Sequence, residues 1–212
     1  TNPYRYPDID FYSSDYLRKF NVTSGVTGEV YGGNEKTHYY LDFGMSHNNS
    51  LLKYGEAKKA YDLSFNVRGN VDMSLASWLK ASTNAAVIFN NSYAGRGDFW
   101  GAASTLRPNW FAPLLPIDMI DRNVAANDEY VINSNHLIGG QYLLGGTSAD
   151  TTNPFSELLA AGYTKEKSRM FMFDIVLMAD LGRLLKGLSF KTAYSADYTS
   201  YYSEAFAENY AV

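Results

Sequence analysis

Between Tyr61 and Leu75 apolar and polar residues alternate for fifteen positions. Tyr61, Leu63, Phe65, Val67, Gly69, Val71, Met73 and Leu75 share one parity; Asp62, Ser64, Asn66, Arg68, Asn70, Asp72 and Ser74 share the other. Side chains of a strand point to opposite faces with a period of two, so this run predicts one long β-strand, apolar on one side and polar on the other. At ~3.3 Å per residue it extends for roughly 50 Å, far beyond the five or six residues usual in a soluble sheet. Such a strand suits a barrel wall with lipid outside and water inside.

The same period predicts five more strands. Asn21–Tyr31 sets Val22, Val26 and Val30 against Thr23, Thr27 and Glu29, and Thr37–His47 sets Tyr39, Leu41, Phe43 and Met45 against His38, Tyr40, Asp42 and Ser46. Lys80–Ser92 follows the long strand, and Arg169–Leu181 and Leu188–Tyr198 close the series. Asn48–Ala60 is mostly polar and predicts a loop. From Tyr93 to Ser168 the pattern disappears, and four of the six prolines lie there (Pro108, Pro113, Pro116 and Pro154). Loops of that length are uncommon in compact domains and usually have a function or are disordered.

The connections sort by length. Those near 32–36, 76–79 and 182–187 are short; those at 48–60 and 93–168 are long. Neighbouring antiparallel strands place alternate connections at opposite ends, the arrangement of short periplasmic turns and long extracellular loops. The expected fold is therefore all-β, an antiparallel up-and-down transmembrane β-barrel segment of about six strands. Leu75-Ala76-Ser77-Trp78-Leu79-Lys80 and Leu181-Gly182-Arg183-Leu184-Leu185-Lys186 share the pattern L-x-x-[WL]-L-K at short turns. That pattern suits a turn at headgroup level, with Trp78 as an interfacial anchor.

Composition narrows the choices. A net charge of −4 argues against nucleic acid, which requires a basic footprint. The absence of cysteine removes disulfides and thiolate chemistry. Aromatic residues make up 16 % of the chain, with 18 tyrosines among them, which suits wet apolar boundaries such as membrane girdles and sugar sites. Mean hydropathy is −0.28, as expected when strands alternate. The chain opens on Thr1-Asn2-Pro3, without an initiator methionine or signal peptide, and is expected to be a segment of a longer protein.

Catalytic and metal chemistry have little support. His38, His47 and His136 lack metal-ligand spacing, and no phosphate-binding loop or nucleophile elbow occurs. Asp8 and Asp10 read as a solvated loop. No enzyme activity and no cofactor or metal are expected. In the long loop Phe99, Trp100, Trp110, Phe111 and Tyr142 are ligand-contact candidates, foremost Trp100, Trp110 and Phe111, because flat aromatic faces stack on sugar rings and peptide side chains. The competing reading makes them a small core that holds the loop together, and Pro113-Leu114-Leu115-Pro116 favours it.

Gly32-Gly33-Asn34-Glu35-Lys36-Thr37-His38-Tyr39-Tyr40-Leu41-Asp42-Phe43-Gly44 resembles an early barrel hairpin of the SusC/RagA family, with Asp42 where the family has serine. Trp78-Leu79-Lys80 resembles that family's W-L-K turn, Asn153-Pro154-Phe155 with Gly162-Tyr163 its N-P loop element, and Lys186-Gly187-Leu188-Ser189-Phe190 a later hairpin. The resemblance implies part of a TonB-dependent transporter of the outer membrane that imports glycans or peptides with a SusD-like surface lipoprotein. It also implies contact with the TonB complex through a plug domain for which this sequence has no counterpart. The segment alone is expected not to transport. The alternatives are a soluble β-rich carbohydrate-binding module and a secreted glycan hydrolase.

Overall fold

The computed structural model describes residues 8–107, 111–134, 137–147 and 149–208. The chain is mostly antiparallel β. Strands β1 (Thr23–Gly33), β2 (Thr37–Asn49), β3 (Tyr61–Ala76), β4 (Leu79–Gly95), β7 (Gly162–Asp180) and β8 (Ser189–Ala207) form one sheet in the order β1-β2-β3-β4-β7-β8. All six expected strands are present. Among the described residues the sheet does not close into a barrel, and β1 and β8 are its two edges.

Register keeps the two parities apart across the whole sheet. One row runs Phe43, Val67, Val87, Phe171, Tyr198; another runs Tyr39, Val71, Thr83, Ile175, Tyr194. The opposite face carries Asp42, Arg68, Asn70, Asp72, Asn84 and Asp174, and side-chain hydrogen bonds join β3 to β4 and β4 to β7 there. The Asn84 amide donates to Asp174 at 2.9 Å, and the Ser82 hydroxyl donates to Asp72 at 2.5 Å. One-residue slips would exchange the two faces, so the pattern itself fixes register. A single irregularity, between Ser74 and Ala76, precedes the tight Ser77-Trp78 turn.

Among the described residues neither face has a protein layer over it. Ala81 is the only buried hydrophobic residue of the six strands, whereas Leu41, Met45, Phe171, Tyr194 and Tyr198 are all exposed. The protein core lies elsewhere, in a cap at the end of the sheet that carries the long connections. Phe11, Leu52, Phe99, Leu144, Phe155 and Leu158 are buried together there. The cap holds α1 (Phe99–Thr105), α2 (Ala125–Asn133), α3 (Pro154–Leu159) and a small two-stranded sheet, β5 (Leu114–Pro116) with β6 (Tyr142–Leu144).

The structure corrects the expected extent of the long loop. β4 continues to Gly95 and β7 begins at Gly162. In Tyr163–Ser168 both parities are largely polar (Lys165 and Lys167 against Thr164, Glu166 and Ser168), so the strand carries no hydrophobic alternation to read. β7 departs from strict alternation elsewhere too. Met170, Met172, Val176 and Met178 lie on the otherwise polar face, making this strand apolar on both sides.

Candidate functional site

The cap is built from three sequence-distant stretches that meet on aromatic edges. The Phe11 ring centre lies 5.0 Å from that of Tyr16, 5.4 Å from Phe155 and 6.0 Å from Phe99. Tilted and edge-on pairs of this kind add to simple burial because the positive ring edge meets the negative face. Asp98 caps α1 by accepting from Gly101 N–H at 2.9 Å, while its own N–H donates to Glu157 at 2.8 Å, joining α1 to α3.

Asn153 is the pivot. It is fully buried, its amide donates to the carbonyls of Pro113 and Gly145 at 2.7 and 2.9 Å, and its Oδ1 accepts from Phe155 N–H at 3.0 Å. One side chain thus caps α3 and binds the β5 and β6 segments to it. Pro154 sits at the first helical turn, where its missing N–H costs nothing. Close backbone approach fixes Gly145 as well, since a Cβ there would meet the Ala112 carbonyl at 1.5 Å.

On the cap surface Tyr16, Tyr54, Ile138, Leu158 and Leu159 line a groove of about 270 Å³ with Asp15 at its rim. The Tyr16 and Tyr54 rings meet edge to face at 6.0 Å. Burial, together with Tyr54 and Asp15, raises the Tyr16 hydroxyl above the ordinary tyrosine range, so the Tyr16 phenol stays neutral at physiological pH. The groove presents an apolar aromatic floor and one carboxylate acceptor. Its volume, at the lower end of small-molecule sites, fits a single side chain or sugar ring.

The candidate aromatics of the sequence part company. Trp100 is 42 % exposed, tilted against Tyr12 at 5.9 Å and edge-on to Phe99 at 5.1 Å. Phe111 is buried and offers no open ring face. Phe99 belongs to the core. Trp110 and His136 lie outside the described residues. The sequence reading missed Tyr16 and Tyr54, which stand in segments without periodicity and are brought together by the Leu17–Leu52 bridge. Among the described residues no group of acidic and histidine side chains forms a metal-binding cluster.

The cap is tied to the sheet at Glu56, on a 3-10 turn (Glu56–Lys59). Tyr93 O–H donates to one carboxylate oxygen and Lys59 Nζ lies 2.8 Å from the other. Lys59 first, then Tyr93, hold the Glu56 carboxyl below its usual range. A lowered folded value means that the tie is fully made above the ordinary glutamate range and is lost as pH falls through the lowered one. Protection of the amides at residues 56–60 against hydrogen exchange, taken relative to their intrinsic rates, should therefore fall on acidification through that range, and in Glu56→Gln it should already be low at neutral pH. Equal exchange in the two proteins across that range would show that the carboxylate does not hold the turn.

On the apolar face, aromatic rings cross the strands just below the cap. Tyr61 stacks on Tyr93 at 6.4 Å, Tyr93 on Tyr163 at 5.2 Å, and Tyr163 packs on Phe206 at 5.8 Å. Comparison of the chain with family models, curated proteins and solved structures gives no match.

Proposed function

We propose that this chain is a wall segment of an outer-membrane TonB-dependent transporter of the SusC/RagA type, importing glycans or peptides together with a SusD-like lipoprotein. The observation that carries the reading is the uncovered apolar band. On β7 it runs from Phe171 to Ala179, nine positions, and on β8 from Phe190 to Tyr198. A membrane-spanning strand needs about nine to eleven residues. Beyond those positions the same face takes on charged and polar residues, Arg169, Lys167 and Lys165 on β7 and Ser200 and Glu204 on β8, interleaved with Tyr202 and ending in the aromatic row at Tyr163 and Phe206. An apolar face this broad in water would be an aggregation liability; in lipid it is the ordinary outer surface of a barrel.

The opposite face, with its cross-strand Asp, Asn and Ser pairs, suits a wet lumen. The open edges suit continuation of the wall, because a bilayer tolerates no unpaired edge. The cap then stands outside the cell, and its Tyr16–Tyr54 groove and exposed Trp100 are the ligand contacts within this segment. Phe111 supports the cap from within. Catalysis plays no part in this reading. The hairpin and N-P motifs favour the SusC/RagA assignment within TonB-dependent transporters.

The second reading, a soluble carbohydrate-binding module, is favoured by the aromatic groove alone. It leaves the apolar face without a second layer, since the only other sheet among the described residues pairs two three-residue strands. Topology distinguishes the two. In sealed cells expressing the intact parent, a maleimide probe should label cysteines placed at Asn123 in the cap and not at Glu35 or Arg183 in the short turns. Labelling of the short turns alone would invert the proposed orientation. Recovery of the parent in the soluble fraction without detergent would favour the module.

A further inference from the structure

The apolar band ends on β7 in three consecutive cationic positions of the same face, Arg169, Lys167 and Lys165. Their parity is settled by contacts as well as sequence. The Arg169 guanidinium lies 5.0 Å from the Phe89 ring centre, and Phe89 stacks on Phe65 at 6.1 Å within the band. Arg169 is held in place by donation to the Asn90 and Ser168 carbonyls at 3.1 and 2.8 Å and to Asn91 Oδ1 at 2.8 Å. Lys167 Nζ stands 5.9 Å from the Tyr202 ring centre. Neither lysine is in an ion pair among the described residues.

One carboxylate shares the level. Glu204, opposite Lys165 in register, accepts from Tyr163 O–H at 2.8 Å and from Tyr202 O–H at 2.9 Å. Glu56 above it is already engaged by Lys59 and Tyr93. Three cations against one phenol-bonded carboxylate leave an excess of two positive charges. Positions i and i+2 of a strand are ~7 Å apart on one face, so Lys165 and Lys167 can close on a single phosphate.

We infer that Lys165, Lys167 and Arg169 form a docking site for a phosphate-bearing membrane lipid, with the phosphate between the two lysines and the acyl chains along Phe171, Phe173 and Phe89. The inference rests on the membrane reading above and adds to it a preference for anionic headgroups. Position selects a lipid over a soluble anion: the cations adjoin the band with no polar gap, and an amphiphile matches both halves of the surface. Lysine stems lie along apolar surface while their heads reach the headgroup layer, and anionic lipid attracts such heads.

The test is reconstitution of the intact parent, and of its Lys165→Gln/Lys167→Gln/Arg169→Gln variant, with vesicles of phosphatidylcholine alone or mixed with phosphatidic acid. Membrane association should strengthen on adding phosphatidic acid, and the triple variant should lose roughly fivefold of that gain per charge removed. Its association with pure phosphatidylcholine should be unchanged. Association without preference for phosphatidic acid, or a preference that survives the triple substitution, would overturn the site and leave the membrane reading standing. Failure to associate with either vesicle would overturn both. Cancellation of the preference by inorganic phosphate, at an ionic strength where chloride has no effect, would assign the site to a free anion and overturn the lipid.

Discussion

Replacing Val71 by arginine is expected to destabilise the membrane-embedded protein by about 2–4 kcal/mol, while arginine at the neighbouring Asn70 costs close to nothing. Val71 lies between Tyr39 and Thr83 in register, in a row continued by Ile175 and Tyr194, midway along the apolar band. Asn70 is on the opposite face between Tyr40 and Asn84. If lipid covers the first face, the guanidinium at 71 must be desolvated or must distort the bilayer, and no carboxylate shares its row. At 70 the same group meets water and the field of Asp72 and Asp174. Phe65 would be a weaker probe, because register places it level with Arg169, at the upper margin of the band. Denaturant unfolding of the parent in phosphatidylcholine vesicles measures the difference. Equal costs at 70 and 71 would remove the assignment of faces.

The second large effect is expected at Asn153. Truncation to alanine takes the side-chain donor from the Gly145 carbonyl, leaves the Pro113 carbonyl with Gly145 N–H alone, and takes the cap from α3. A buried polar group stripped of its partner costs about 1–3 kcal/mol, and a lost helix cap about 1 kcal/mol more, so a loss on the order of 3 kcal/mol within the cap is expected. Asn153→Asp keeps the acceptor for Phe155 but loses both donors and aims a carboxylate at two carbonyl oxygens. It should rescue nothing. Hydrogen exchange would show residues 111–116 and 142–145 opening in both variants while the six long strands stay protected. Unchanged exchange in the cap would mean that its aromatic core suffices without the pivot.

Strand existence was legible because one residue in two reports the environment of a face, and Tyr61–Leu75 reports it fifteen times. Strand ends were less so. Lys165 and Lys167 extend β7 with no change of polarity between faces, and Met170 and Met172 blur the opposite side. Of the cap, only an aromatic core within the long loop was legible, through Phe99 and Phe111; its helices and its partners from residues 11–17 and 52–57 were not. α1 and α3 have seven and six residues, too short to display a helical period, and each depends on a capping side chain and on distant partners. Its core joins Phe11, Leu52, Phe99 and Phe155, whose meeting no local pattern announces.

The candidate site shows the same limit. Residue type identified the aromatic class, but whether a ring lies open like Trp100 or closed like Phe111 depends on packing with segments distant in sequence, as Tyr12 beside Trp100 illustrates. The N-P element was legible as a motif. Its physical task, one amide bridging two carbonyls across the cap, was visible only in three dimensions.

The placement of the cap's largest segment between β4 and β7 also implies an order of assembly. Three residues, Asn34–Lys36, join β1 to β2, whereas 66 residues separate Gly95 from Gly162. Closure entropy grows with the logarithm of loop length, so zipping β7 onto β4 costs roughly 3 kcal/mol more than closing the first hairpin. That penalty falls to the extent that the intervening segment has already collapsed, because Arg96 N–H and the Gly162 carbonyl meet at the base of a formed cap. The two hairpin blocks are therefore expected to form early and to join late, at a rate set by how fast Phe99, Phe155 and Asn153 find one another. The cap is in this sense a clasp, and a chain with a loosened clasp would spend longer with the inner edge of β4 unpaired.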